Sequence, residues 1–336
     1  MNQFKTIAIA AALAASTAAE AADWTEYLPT PDGVMMARYE QLLIDDTPSR
    51  FQVRYARLGI SGHIIPEIDY RVQADFCDEG KFKMLDAWAR YAPVQNVKIK
   101  IGQFRAPFGC DVFRGPGVQV FSNRSFVARD VVNQRAVGAS VMLSVSGLPL
   151  TVEAGVFNPN SISDHSPYST SKVVAGKATY SVGEFAFTGS FKSYIPQQVR
   201  INTANCSATF RSGRWMAEAE YTYKHFNGSD FKDSHAYNFM GQYTMPVKWG
   251  VFNYFSMEGR YDGHTFDSSG ACDEAGAIVG DLPARSRLTV GSTVSYRLKN
   301  LRCDFRINYE NYFYHDGHQP LEGRDDKIVA EFVIKF

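Results

Sequence analysis

The sequence predicts an all-β fold, a transmembrane antiparallel β-barrel of about 16 strands. Three observations carry that expectation. In Glu67-Ile68-Asp69-Tyr70-Arg71-Val72-Gln73-Ala74-Asp75-Phe76 every second residue is charged or amide, and its neighbours are apolar. A strand pleat sends the two sets to opposite faces. The same alternation recurs along the chain, as in Met216-Ala217-Glu218-Ala219-Glu220-Tyr221-Thr222-Tyr223 and Arg302-Cys303-Asp304-Phe305-Arg306-Ile307-Asn308-Tyr309, with apolar faces rich in Phe and Tyr. Finally, short and long connectors take turns, as they do in barrels with tight turns on one rim and longer loops on the other.

The first element is a secretory signal over residues 1–21, followed by a single barrel domain over 22–336. Lys5 supplies the positive region, residues 6–15 an apolar stretch too short to span a bilayer, and Ala19-Glu20-Ala21 a small-x-small cleavage site. No later segment reaches the roughly 18 consecutive apolar residues of a membrane helix. An exported chain of this kind either stays in the periplasm or crosses the outer membrane as strands, and the alternation favours strands.

Candidate strands follow in order at 34–44, 51–60, 64–76, 82–92, 97–104, 136–145, 150–157, 173–181, 185–194, 202–211, 215–226, 235–245, 254–266, 286–298, 301–314 and 327–336. Ser61-Gly62-His63, Pro93-Val94-Gln95-Asn96, Ser146-Gly147-Leu148-Pro149, Val182-Gly183-Glu184, Ser212-Gly213-Arg214 and Lys299-Asn300 have turn chemistry. The longer connectors are 105–135, 158–172, 267–285 and 315–326. Strand direction then tests the count. Residues 51–60 enter a tight turn and 327–336 leave a long loop, so both run toward the periplasm. Two strands of like direction cannot close an antiparallel ring, and 34–44 is the one segment able to supply the missing upward strand, although its alternation fails after Glu40. The insert 105–135 becomes the third external loop, and a loop of about thirty residues usually has a function. Folded inward, it would narrow a lumen that is otherwise an open aqueous channel.

Composition excludes several functions. With 35 basic and 35 acidic residues the chain has no global basic footprint for nucleic acid. The five cysteines, Cys77, Cys110, Cys206, Cys272 and Cys303, lack metal-type spacing. Cys206 and Cys303 fall on apolar strand faces. Cys77 and Cys110 are read as loop residues, where a disulfide between them is one alternative in an oxidising compartment. His315-Asp316-Gly317-His318 reads as a polar loop tip rather than a metal site, and no cofactor motif is present.

Three stretches taken together, Arg54-Tyr55-Ala56-Arg57-Leu58-Gly59-Ile60-Ser61-Gly62, Leu85-Asp86-Ala87-Trp88-Ala89-Arg90-Tyr91 and Ile101-Gly102-Gln103-Phe104-Arg105-Ala106-Pro107-Phe108-Gly109, resemble the phosphate-selective porin O and P family. Asn123-Arg124-Ser125-Phe126, followed by Arg135-Ala136-Val137-Gly138, is similar to that family's loop segment. The resemblance implies a sixteen-stranded homotrimeric outer-membrane porin passing small hydrophilic solutes, with anion selectivity in its best-known members. The family's arginine ladder and constriction lysine do not map onto this chain. Phe336, with the alternating Ile328, Ala330, Phe332 and Ile334, resembles the sorting signal read by the barrel-assembly machinery.

Polar parity places Arg54, Arg71, Arg90, Lys98 and Lys100, with Asp69 and Asp86, on the inner wall. Inward cations and anions are similar in number along the chain, so the wall is mixed. The insert is not: Arg105, Arg114, Arg124, Arg129 and Arg135 face only Asp111 and Asp130. A surplus of arginine in a narrow constriction favours anions. The alternative is that these arginines tie the loop to wall carboxylates such as Asp69 or Glu153. Inward glycines Gly102, Gly138, Gly155 and Gly291 are expected to leave room for water. Aromatics near strand ends, among them Tyr70, Tyr91, Trp215, Tyr243 and Tyr312, are candidates for the girdles at the two lipid interfaces, outer-membrane lipid being the expected surroundings.

Passive diffusion needs no catalytic residue, and the chain has no Gly-x-Ser-x-Gly elbow and no coherent Ser/His/Asp set. The other readings are a sugar-specific channel with Trp88 as an aromatic step, an outer-membrane enzyme, and a closed structural barrel.

Overall fold

The computed structural model describes residues 27–78, 81–131, 135–159, 168, 170–195, 199–228, 231–268, 271–272, 278–279, 282–315 and 320–336. The expected signal at 1–21 and residues 316–319 of the histidine-bearing loop tip lie outside them. Sixteen strands form one closed antiparallel barrel, each hydrogen-bonded to the next in sequence. They are β1 Thr30–Leu42, β2 Ser49–Ile65, β3 Ile68–Asp78, β4 Lys81–Val94, β5 Val97–Arg105, β6 Arg135–Ser144, β7 Leu150–Phe157 and β8 Val173–Val182. The second half comprises β9 Phe185–Tyr194, β10 Ile201–Ser212, β11 Trp215–Phe226, β12 Ser234–Trp249, β13 Phe252–His264, β14 Arg285–Leu298, β15 Leu301–Tyr314 and β16 Lys327–Lys335. A two-residue ribbon, Ala271–Cys272 with Ile278–Val279, decorates the connection between β13 and β14. No helix among the described residues is long and apolar enough to cross a membrane.

Closure occurs where strand direction requires it. β1 pairs antiparallel with β16 from Val34↔Lys335 to Leu42↔Lys327. The weak alternation of β1 is still sufficient, because Met36, Arg38 and Glu40 all turn inward and are buried. Gly33 completes the seam: Gly33 N donates to Phe336 O at 2.9 Å and Phe336 N to Gly33 O at 3.1 Å. The Phe336 ring occupies the place where a Cβ on Gly33 would stand, 2.3 Å from its nearest carbon. Gly33→Val is therefore expected to overpack the seam by roughly 1–3 kcal/mol. On unheated denaturing gels it should lower the temperature at which the compact barrel band gives way to the unfolded band, and an unchanged transition would disprove the clamp.

The barrel is inverted relative to a soluble domain. Along β15, Asp304, Arg306, Asn308 and Glu310 are each 0% exposed, while the alternate Phe305, Ile307 and Tyr309 are 41%, 44% and 38% exposed. Polar side chains pack into the interior and aromatic and aliphatic ones form the outer belt, as a bilayer requires. Tyr312 departs from the expected girdle. It shares the inner parity of Glu310 and donates its hydroxyl to Glu310 Oε2 at 2.8 Å. The tight turns follow local sequence: Gly183 takes φ 54° at the first position of its two-residue turn, and Lys299 takes φ 51° without glycine's freedom.

Two bulges reset the pleat. Tyr55 faces Met36 but Val53 faces Ala37, leaving Arg54 as the extra residue on β2. A bulge shifts the following side chains by one position. Arg54 thus sits at the bulge with its guanidinium over the Tyr55 ring at 4.7 Å, and Arg57, absent from the inward set read from parity, points inside. On β4, Leu85 is the extra residue, and Gln103 Nε2 donates to both Met84 O and Leu85 O at 2.9 Å, supplying the partners that the broken ladder lacks.

Three other expectations are corrected. Cys77 lies within β3, not in a loop, and its thiol donates to Val53 O at 3.2 Å. Cys110 sits across the barrel against β10 and β11, so both thiols are free and the disulfide does not form. The inner glycines do not open water-filled gaps. Phe157 fills the space over Gly138 and Gly155, and the Asn308 amide lies 2.0 Å from where a Cβ on Gly291 would be.

Candidate functional site

The third external loop begins after Arg105 and turns at Gly109. It then carries two short 3-10 turns, Asp111–Phe113 and Pro116–Val118, and a π turn, Val127–Val131. Its backbone lacks a sheet to pair with, so its polar groups need other partners. They find them on the polar faces of the strands. Gly109 N donates to Ser190 Oγ on β9 at 3.0 Å, and Cys110 N and Asp111 N donate to the Glu220 carboxylate on β11 at 2.7 and 3.2 Å. Phe126 N donates to Asp262 on β13 at 2.8 Å, and Ser122 N to Asn308 on β15 at 2.7 Å. In the reverse sense, Arg260, Arg287 and Arg306 each donate at 2.8 Å to a loop carbonyl, those of Asn123, Arg124 and Gln119. Arg38 on β1 reaches Asn123 Oδ1 at 3.0 Å. The loop is thus fastened to the polar face from β9 round to β1.

Arg114 is the tightest of these fastenings. It donates to Asp111 Oδ1 at 2.6 Å and, closer still, to Glu218 Oε2. Burial disfavours charge on Asp111, but Arg114, Arg124 and the Ser125 hydroxyl outweigh it and hold its carboxyl below the usual range. Burial likewise opposes the Arg114 charge, yet Glu218 and Asp111 raise its pKa above the ordinary arginine value. Beside them, burial and the Glu218 and Glu220 carboxylates push the Cys110 thiol up to about 12, leaving it protonated and unreactive.

Arg124 donates to three loop carbonyls, Asp111 O at 3.1 Å, Val112 O at 3.4 Å and Arg114 O at 2.6 Å, so it braces the loop against itself. Arg129 is exposed on the π turn. These arginines do not reach Asp69 or Glu153. Asp69 accepts from Arg90, and Glu153 accepts from Ser140 at 2.8 Å and lies 3.7 Å from Lys100.

Residues of β1 to β6 and of β16 border a cavity of about 530 Å³. Phe113 and Gly115 to Val118 of the loop form one side of it. Of the loop arginines, Arg105 and Arg135 line it; Arg114, Arg124 and Arg129 do not. Of the wall residues picked out by parity, Arg71, Lys100 and Asp86 line it, whereas Arg54, Asp69, Arg90 and Lys98 fall outside its lining. Parity missed Arg57, displaced by the bulge, and the cationic Lys335, which an exact count of residues along the last strand would have placed inward. It also left out Asp32, which β1 contributes ahead of the segment read as a strand.

The cavity lining holds six cations, Arg57, Arg71, Lys100, Arg105, Arg135 and Lys335, against two carboxylates, Asp32 and Asp86. Both carboxylates are engaged, Asp32 by Arg71 through two bonds of 2.8 Å and Asp86 by Arg135 at 2.9 Å. Arg57 is held at 2.7 Å by Asp75, its register partner on the inner face of β3. Arg105 caps Val112 O, and its Nε is buried without a hydrogen-bond partner among the described residues. What remains is a polar cavity with surplus positive charge. The described residues hold no cluster of side chains arranged to bind a metal ion.

Residues 41–182 match the model of the family phosphate-selective porin O and P, a span that includes every stretch on which the sequence resemblance rests. No curated protein matches the sequence. Among solved structures, the chain is similar to an anion-selective porin from Comamonas acidovorans, with a TM-score of 0.62 at 10% identity over 92% of this chain and 99% of that one. It is also similar to the outer-membrane channel DcaP of Acinetobacter baumannii, with a TM-score of 0.65 at 12% identity over 94% and 99% of the two chains. An OmpT of Vibrio cholerae in trimer form aligns with a TM-score of 0.57 at 10% identity over 92% and 99%. At these identities the likeness establishes a shared barrel fold.

Proposed function

We propose that this chain is an outer-membrane porin of the phosphate-selective O and P type, a water-filled channel through which small hydrophilic solutes diffuse passively with a modest preference for anions. The observation that carries the reading is the loop segment from Gly109 to Phe126 fastened to the polar face round more than half of a closed, apolar-belted ring. A loop that reaches so many strands of a closed ring supports its reading as the constriction. The cavity beside it, rich in arginine and lysine, supports the anion preference, since a narrow passage of one sign of charge concentrates the opposite ion. Diffusion through such a passage calls for no catalytic residue, cofactor or metal.

The test is incorporation of refolded protein into a planar bilayer. Discrete conductance steps with an anion-directed reversal potential in asymmetric salt are expected. Absence of steps from correctly folded protein would overturn the channel reading, and a cation-directed potential would overturn the selectivity.

The functional unit proposed is a homotrimer in the outer membrane of a Gram-negative bacterium, delivered by a cleaved signal at 1–21 and inserted by the barrel-assembly machinery. Small outward residues stand in register at two places on the outer wall, Ala178↔Gly189 and Ala217↔Gly241↔Gly259, and would permit close approach of a neighbouring barrel. Native mass spectrometry in mild detergent should show three chains; monomers alone would disprove the assembly.

A further inference from the structure

We infer that the constriction selects aromatic organic anions, molecules that join a flat apolar body to a carboxylate or sulfonate, over inorganic anions and over neutral sugars. This rests on the porin reading above and narrows it to a solute class. The basis is that cations and aromatic faces are interleaved round one cavity. Trp88 stands within it with Lys100 Nζ 5.4 Å from its ring centre, and the same ammonium lies 4.6 Å from the Phe104 ring. On the opposite side, the loop presents Phe113, 39% exposed despite its place inside the loop fold, with Lys177 Nζ 3.7 Å from its ring centre. Val34, Pro116 and Val118 extend the apolar surface between them.

A small inorganic anion gains from the cations but must shed water against aromatic and aliphatic walls that return no hydrogen bonds. A sugar stacks on Trp88 but needs both donors and acceptors for its hydroxyls. Here the carboxylates Asp32 and Asp86 are held by Arg71 and Arg135, and Gln73 is the one uncharged amide side chain of the lining. An aromatic anion uses both halves of the lining. Its ring lies on Trp88 or Phe113, and its charged head meets Arg105 and Lys100 of the same lining. At about 530 Å³ the space admits a substituted benzene ring together with water, within the usual range for small-molecule sites.

Benzenesulfonate and methanesulfonate separate the ring from the charge, because both carry the same permanently ionised head. Their permeabilities relative to chloride are read from bi-ionic reversal potentials across single channels. Size alone favours methanesulfonate, so the expected result, benzenesulfonate permeating at least as well and inhibiting chloride current at lower concentration, cannot come from sieving. Trp88→Ala should weaken that inhibition about two- to tenfold while sparing methanesulfonate. Trp88→Phe should retain most of it. Phe113→Ala, in the loop and away from the strand ladder, repeats the test if Trp88→Ala does not fold. An anion-selective channel that favours methanesulfonate, or variants that change both sulfonates equally, would overturn the inference and leave the porin reading standing. A folded barrel with no conductance, or one selective for cations, would overturn both.

Discussion

Arg114→Ala is expected to release the loop from the wall while the barrel stays closed. Arg114 is buried between Asp111 and Glu218, and Glu220 lies alongside, held by the Cys110 and Asp111 amides. Removing Arg114 leaves the buried Glu218 carboxylate without its cation and Asp111 with Arg124 and Ser125 beside it, and breaking such a buried pair costs about 3–5 kcal/mol. None of the sixteen ladders depends on that residue, so gel migration of unheated protein should be unchanged. Single-channel conductance should rise and grow noisier, because the loop no longer holds one position across the passage. The double variant Arg114→Ala with Glu218→Gln removes the orphaned charge as well and should recover part of the quiet, low-conductance state. Non-additivity of that kind is what a direct coupling predicts. Wild-type conductance from folded Arg114→Ala would show that the remaining bonds alone fix the loop.

Most of the barrel is readable in the sequence because its determinants are local. A strand with water on one side and lipid on the other must alternate, and Asp304 to Glu310 does so without a break. The direction argument also succeeded, since it needs only connector lengths. Reading failed where a side chain's direction depends on a partner strand. Nothing in Gln52-Val53-Arg54-Tyr55 announces a bulge; it exists because β1 and β2 must both meet their other neighbours in register. That single extra residue moved Arg57 from the expected lipid face to the passage. The loop arginines failed for a related reason. Arg105 and Arg114 are equivalent as sequence, yet one caps a carbonyl at the cavity while the other is locked between Asp111 of the loop and Glu218 of β11, more than a hundred residues away. Charge counting over 105–135 treats these as equal contributors to selectivity, and the fold does not.

The cations expected to set selectivity are therefore those of the cavity lining that no carboxylate neutralises. Among the lining cations, Arg57, Arg71 and Arg135 are each matched by a carboxylate within 3 Å. Lys100 has only a loose partner at 3.7 Å, Arg105 is bonded to a carbonyl, and Lys335 packs beside Gly117. These three carry the surplus. Replacing them together by Gln should bring the reversal potential in asymmetric salt close to zero. A unit charge at 8 Å is worth ~0.5 kcal/mol in water, so three supply ~1.5 kcal/mol unscreened, about tenfold in the barrier to an anion. The effect should be largest near 0.01 M salt, where the screening length is about 30 Å, and fade toward 1 M, where it is about 3 Å. Arg129→Ala, an exposed change outside the lining, should leave the potential where it was. Equal shifts from both constructions would mean that the whole field of the loop sets selectivity. A shift from the triple variant alone places it at the cavity, where charge not already matched by a carboxylate is what a passing ion meets.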